Sequence, residues 1–100
     1  MRRNRVELSG TVAWVSDRRT TASGAPVLAF RLRVEQDPDD PAVAPCDIHV
    51  VSLGGTAEVA EVAVGCEVMV LGSLTERRWK GPGGIQNKRL EILARAVQVL

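Results

Sequence analysis

Aromatic residues are scarce in this chain of 100 residues. They make up 3% of it, as Trp14, Phe30 and Trp79, and tyrosine is absent. A surface that recognises its ligand mainly by stacking on aromatic rings would therefore have few rings to use. Any ligand contact is expected to depend more on charge than on stacking.

Residues that bind metals or catalyse reactions are also few. The chain has one histidine, His49, and two cysteines, Cys46 and Cys66. A structural zinc site takes four ligands, and these three residues fall one short of that number. The cysteines lie on or beside predicted strands, which favours reduced thiols over a disulfide framework. Asp47, His49 and Ser52 cannot form a catalytic triad, because residues of one strand do not converge. We expect no metal, no cofactor and no enzyme activity.

The chain lacks a long hydrophobic run. Its apolar stretches are only a few residues long, and the basic amino terminus leads directly into a strand-like pattern. A signal peptide or a membrane span would require a longer apolar segment. The sequence therefore predicts a cytoplasmic protein without a membrane partner.

The net charge of +1 provides no general attraction to polyanions. With 45% hydrophobic and 25% charged residues, the composition is typical of one globular domain over residues 1–100. The charges are nevertheless unevenly placed, with acidic residues concentrated in residues 35–47 and 58–67. The basic clusters are Arg2, Arg3 and Arg5; Arg18 and Arg19; and Arg77, Arg78, Lys80, Lys88 and Arg89.

Alternation of apolar and polar residues predicts five strands. In the first strand, Val12 and Trp14 share the apolar face, and Trp14 is therefore expected to cap the barrel. In the second, Phe30 faces the core while Arg31 and Arg33 lie outside. The predicted strands cover residues 6–14, 28–34, 46–53, 68–79 and 85 to the carboxyl end, with a glycine-rich hairpin tip at residues 81–84.

Three connections complete the pattern. Residues 17–26 form a polar loop, and residues 36–45 hold three prolines and three aspartates, so this longest loop should be exposed and poorly ordered without ligand. Thr56 can cap a short helix over residues 57–63, which Gly65 ends.

Three strands, a short helix and two more strands are the element order of the OB-fold. The fold class is thus all-β, a five-stranded Greek-key barrel with a short helix between strands 3 and 4. Gly10 and Gly72, inside strands, fit the sharp bends of so small a barrel. An unrelated five-stranded barrel, such as an SH3-like one, is the alternative.

Three stretches resemble bacterial single-stranded DNA-binding proteins, and most of all the branch of primosomal replication protein N. They are residues 4–12 (NRVELSGTV), 49–54 (HVVSLG) and 64–79 (VGCEVMVLGSLTERRW). The resemblance implies an OB-fold, single-stranded DNA as ligand and a homo-oligomer, which is a dimer in the primosomal branch and a tetramer in the general proteins. Asp47 stands where the general proteins carry a tryptophan, and the chain stops at Leu100 without their long tail, which favours the primosomal branch.

The resemblance and the charge pattern together predict non-sequence-specific binding of single-stranded DNA in replication or replication restart, as a primosome component. Cations would pair with phosphates and Trp79 would stack on a base. Partners would be a second copy and restart proteins such as a helicase. The alternatives are a protein-interaction module with incidental DNA contact, and RNA binding. The predicted nucleic-acid-binding residues are Arg5, Arg18, Arg19, Arg31, Arg33, Arg77, Arg78, Trp79, Lys80, Lys88 and Arg89.

Overall fold

The computed structural model describes residues 1–16, 19–20, 22–24, 26–53 and 61–100. A single 3-10 turn, Pro82–Gly84, joins the last two strands. Within these residues, no helix has the length and apolar character needed to cross a membrane. The strands are β1 (Val6–Val15), β2 (Arg19–Thr20), β3 (Pro26–Val34), β4 (Cys46–Leu53), β5 (Glu67–Lys80) and β6 (Gln86–Val99).

The five long strands form a closed barrel. Their order is β1-β5-β6-β4-β3, and a further pairing of β1 with β3 closes the sheet. Only β4 and β6 run parallel among the described pairs. This five-stranded barrel confirms the predicted OB-fold, to which the structure adds the two-residue strand β2 at one edge of β3.

The predicted helix falls largely outside the described residues. Thr56 and residues 57–60 are not described, and the backbone at residues 62–63 is not helical. Val62 is buried and belongs to the core of the barrel. Val62 therefore packs in the core shortly before β5 begins.

Alternate residues of the strands fill the barrel. Leu28, Phe30 and Leu32 of β3 are buried, which confirms the predicted place of Phe30. The loop at residues 36–45 is exposed, as predicted. It carries turn hydrogen bonds, among them Asp39 N–H to Asp37 Oδ1 at 2.8 Å. Its mobility stays a prediction.

Gly10 and Gly72 lie where strands approach each other too closely for a side chain. A Cβ on Gly10 would lie 2.3 Å from the carbonyl oxygen of Arg33, and one on Gly72 would lie 2.2 Å from that of Leu93. Both distances are far below van der Waals contact, so any side chain would push the strands apart. The structure confirms that these glycines serve the tight curvature of the barrel.

Beyond the barrel, β5 and β6 continue as a two-stranded arm. The β1–β5 ladder stops at Val6 and Gly72, where the Asn4 side chain ends it with two 2.7 Å hydrogen bonds to the backbone of Leu74. On the other side, β4 pairs with β6 only over residues 91–94. Residues 75–80 and 86–90 thus form an arm with two faces.

Candidate nucleic-acid interface

A β-bulge in β1 turns Trp14 to the outside of the barrel. Val12 pairs with Leu32, but Trp14 pairs with Arg31, so one extra residue interrupts the alternation between them. Trp14 is 44% exposed as a result. The prediction that Trp14 caps the barrel is therefore wrong, because strict alternation from Val12 cannot anticipate the inserted residue.

An open groove of about 300 Å³ runs across the outer face of the barrel beside Trp14. Side chains from all six strands or their ends line it, and we call it the outer groove. Its lining residues are Trp14, Ser16, Arg19, Val27, Ala29, His49, Val51, Arg77 and Arg89. The groove thus has an apolar floor with one exposed ring and several cations around it.

The strand register explains why three arginines lie around His49. Arg31 of β3 is paired with His49 of β4, and His49 is paired with Glu91 of β6. Two residues before Glu91 on β6, Arg89 is paired with Arg77 of β5. Neighbouring strands therefore bring three arginines to the same outer surface, although they are far apart in sequence.

Trp79 lies on the arm within reach of two of these arginines. The guanidinium carbons of Arg77 and Arg89 are 5.9 Å and 5.5 Å from the centre of its ring. Arg89 also donates a 2.9 Å hydrogen bond to Glu91, a carboxylate on a residue only 4% exposed. Cation–π attraction and this ion pair hold the ring and both arginines on one side of the arm.

Alternation along the arm divides the predicted basic cluster between two faces. Arg77 and Trp79 share the groove-side face with Arg89, which is the partner of Arg77. On the opposite face, Leu74 and Leu90 are 42% and 55% exposed. The cations of the opposite face are Arg78, Lys80 and Lys88.

Three further predicted residues, Arg19, Arg33 and Arg5, lie outside the arm. Of these, Arg19 lines the outer groove. Arg33 of β3 does not line the groove, and it forms ion pairs with Asp47 and Glu35 at 3.4 Å and 3.5 Å. Arg5 pairs with Glu7 at 3.8 Å and does not line the groove.

Arg18, the last of the predicted residues, lies outside the described chain. Six residues that line the outer groove were not among the predicted ones: Trp14, Ser16, Val27, Ala29, His49 and Val51. Within the described ranges, no group of three or more histidine, cysteine or acidic residues is placed to hold a metal ion.

Burial and the surrounding charges together lower the pKa of His49 from the ordinary value of 6.5. Burial is the main cause, because it disfavours the protonated ring. The neighbouring arginines Arg89, Arg31 and Arg77 act in the same direction, while Glu91 opposes them. His49 is therefore neutral at pH 7 in the free protein, and the surface carries its positive charge on arginines.

Comparison with known proteins gives a consistent set of relatives. Residues 3–100 match the model of the Single-strand binding protein family. A single-stranded DNA-binding protein of Thermotoga maritima is 30% identical over 103 residues, which cover 97% of this chain and 73% of that protein. The solved Plasmodium falciparum SSB complex with ssDNA has the same fold, with a TM-score of 0.81, 20% identity and coverage of 100% and 97% of the two chains.

Proposed function

The chain belongs to the single-strand binding protein family, and we propose that it binds single-stranded DNA along the outer groove and the groove-side face of the arm. One observation carries this placement: both tryptophans of the chain are exposed among arginines on that surface. Rings and cations in alternation suit a flexible polyanion whose bases are free to stack. The role is binding without catalysis.

The side chains divide the work by their chemistry. Trp14 and Trp79 offer ring faces on which bases of any identity can stack. Arg19, Arg31 and Arg77 offer guanidinium groups to backbone phosphates, which carry no sequence information. We therefore expect affinity that falls with salt and depends little on base sequence.

A titration with fluorescently labelled oligonucleotides tests the proposal. Fluorescence anisotropy should show tight binding of an oligothymidylate strand and much weaker binding of a duplex of equal length, at two salt concentrations. An RNA strand of equal length would decide between DNA and RNA. Equal affinity for the strand and the duplex would contradict stacking on unpaired bases.

We also propose that the protein is a homodimer, with a tetramer as the alternative. An apolar strip on the outer face of β5 and β6 supports a second copy as its partner: Met69, Leu71 and Ala96 lie there together, bordered by Glu7 and Gln98. Light scattering should give about twice the chain mass of 10.8 kDa. The substitution Met69→Glu should reduce the measured mass to that of the monomer, because a dimer of this variant would have to bury a charge. A monomeric wild type would contradict the dimer.

The narrower role in replication restart is likewise a proposal, supported by the resemblance of residues 4–12, 49–54 and 64–79 to the primosomal branch. The opposite face of the arm, with exposed Leu74 and Leu90 beside Lys88, is a surface to which a restart protein such as a helicase could bind. A restart helicase whose unwinding rate is unaffected by the protein would argue against this role. The cytoplasmic location stays a prediction.

A further inference from the structure

Two arginines beside His49 hold buried donors without an acceptor in the described part of the chain. The Nε atoms of Arg31 and Arg89 are buried and have no hydrogen-bond partner among the described residues. For Arg31, the nearest carboxylate oxygen, Asp47 Oδ2, is 4.0 Å away, too far for a hydrogen bond. Arg89 uses Nη2, not Nε, for its bond to Glu91. The rest of each guanidinium group is partly exposed, with side-chain exposures of 42% for Arg31 and 34% for Arg89. An anionic ligand can therefore accept hydrogen bonds from both groups.

His49 lies on β4, the strand between those that carry the two arginines. It is paired with Arg31 of β3 on one side and with Glu91 of β6 on the other, and Arg89 is two residues from Glu91 on the same strand. Its ring can accept or donate a hydrogen bond, depending on protonation, and it becomes a further cation when it takes up a proton. A phosphate oxyanion has several acceptors, enough for both guanidinium groups and the imidazole.

We propose that Arg31, His49 and Arg89 form a subsite for one backbone phosphate of the bound strand, and that filling it is coupled to proton uptake by His49. The inference rests on the proposed binding of single-stranded DNA and names the regulation of that same surface. The proton comes from solvent and forms an N–H bond on the imidazole, where it stays while the phosphate is bound. No other covalent bond changes.

The sign of the coupling follows from the charges that face the ring. They are Arg31 of β3, Asp47 of β4, Arg77 of β5, and Arg89 and Glu91 of β6. In the free protein, burial and the arginines keep the ring neutral at pH 7. A bound phosphate adds negative charge, which raises the pKa of His49. Affinity should then rise as the pH falls through the bound-state pKa, and level off below the free-state pKa.

The size of the gain is set by the difference between the two pKa values. Each unit of difference corresponds to about a tenfold increase in affinity at low pH. A shift of one unit would thus make binding about ten times tighter at about pH 5 than at about pH 8, beyond any change caused by other groups.

Because His49 is the only histidine in the chain, its ring signals can be followed by NMR without ambiguity. The pKa of His49 should rise when an oligothymidylate strand is added to the wild-type protein. An uncharged methylphosphonate analogue should not raise it, since it has no phosphate charge. An equal rise with the analogue, or a rise with inorganic phosphate but not with the strand, would overturn the subsite.

A variant of His49 provides the second test. Fluorescence anisotropy between about pH 5 and about pH 8, which brackets the ordinary histidine value, should show that His49→Gln loses the gain in affinity that the wild type has at low pH. The same gain in the variant would contradict the proposal. If the wild type bound the strand but the pKa of His49 did not move, the coupling alone would fail. If the wild type bound no strand at any pH, the proposed function itself would fail.

Discussion

Replacing Trp14 and Trp79 together by alanine is expected to weaken binding of single-stranded DNA by about 2 to 6 kcal/mol. Each stacked base is worth about 1 to 3 kcal/mol by alanine substitution, and the two losses add if the rings act independently. The two rings are 44% and 40% exposed on the proposed surface. Fluorescence anisotropy with a labelled oligothymidylate strand measures the loss.

The matched control keeps an aromatic ring at both positions. A variant with Trp14→Phe and Trp79→Phe should retain most of the affinity, because a smaller ring still stacks, and circular dichroism should show the same barrel in both variants. The single variant Trp14→Ala is the sharper test of the bulge in β1. Unchanged affinity in that variant would mean that Trp14 does not contact the strand.

Removing cations in or beside the outer groove is expected to flatten the salt dependence of binding, whereas removing cations on the opposite face of the arm is not. The groove variant carries Gln at Arg19, Arg31 and Arg77, and the arm variant carries Gln at Arg78, Lys80 and Lys88. Each lost phosphate contact lowers the slope of log affinity against log salt by about 0.7 for a single strand. The slope for the groove variant should therefore be smaller than that of the wild type by about 2, and the affinity of the variant should fall at low salt.

The two variants are matched in charge, since each lowers the net charge from +1 to −2 by removing three cations. Arg89 is left in place in both, because its loss would leave the buried carboxylate of Glu91 without its partner. Anisotropy titrations at several salt concentrations give both slopes. Equal slopes for the two variants would contradict a binding surface confined to the groove side.

The barrel was predictable because its strands alternate regularly. Phe30 of β3 and its neighbours follow a period of two, and the pairing of β3 with β4 keeps that period over eight residues. Gly10 and Gly72 stand out as glycines inside strands, and a close approach of backbones is the usual reason for such a residue. Local pattern was therefore sufficient for these features.

The surface that we propose for binding was predicted only in part, for two physical reasons. The outward position of Trp14 depends on a bulge, which is visible only once the partner strand and its register are known. The proximity of His49 to Glu91 and Arg89 depends on the parallel pairing of β4 with β6, which joins residues distant in sequence. No local pattern records either fact.

The division of the basic residues between the two faces of the arm is a different case, because the sequence does contain the signal that predicts it. Arg77 and Trp79 are two residues apart, and Arg78 and Lys80 are offset from them by one. Alternation along a strand therefore separates the two pairs, as the structure shows. The assignment to the single-strand binding protein family is shown, while closeness to the primosomal branch stays a prediction.

The most direct measurement of the central claim uses the protein's own fluorescence. The chain has two tryptophans and no tyrosine; Trp14 lines the outer groove, and Trp79 lies beside Arg77 and Arg89, which also line it. Ultraviolet emission therefore reports on this surface alone. Addition of oligothymidylate should quench the emission to a plateau that follows the anisotropy titration of the same strand. Binding detected by anisotropy with no change in tryptophan emission would contradict a site on the outer groove and the groove-side face of the arm.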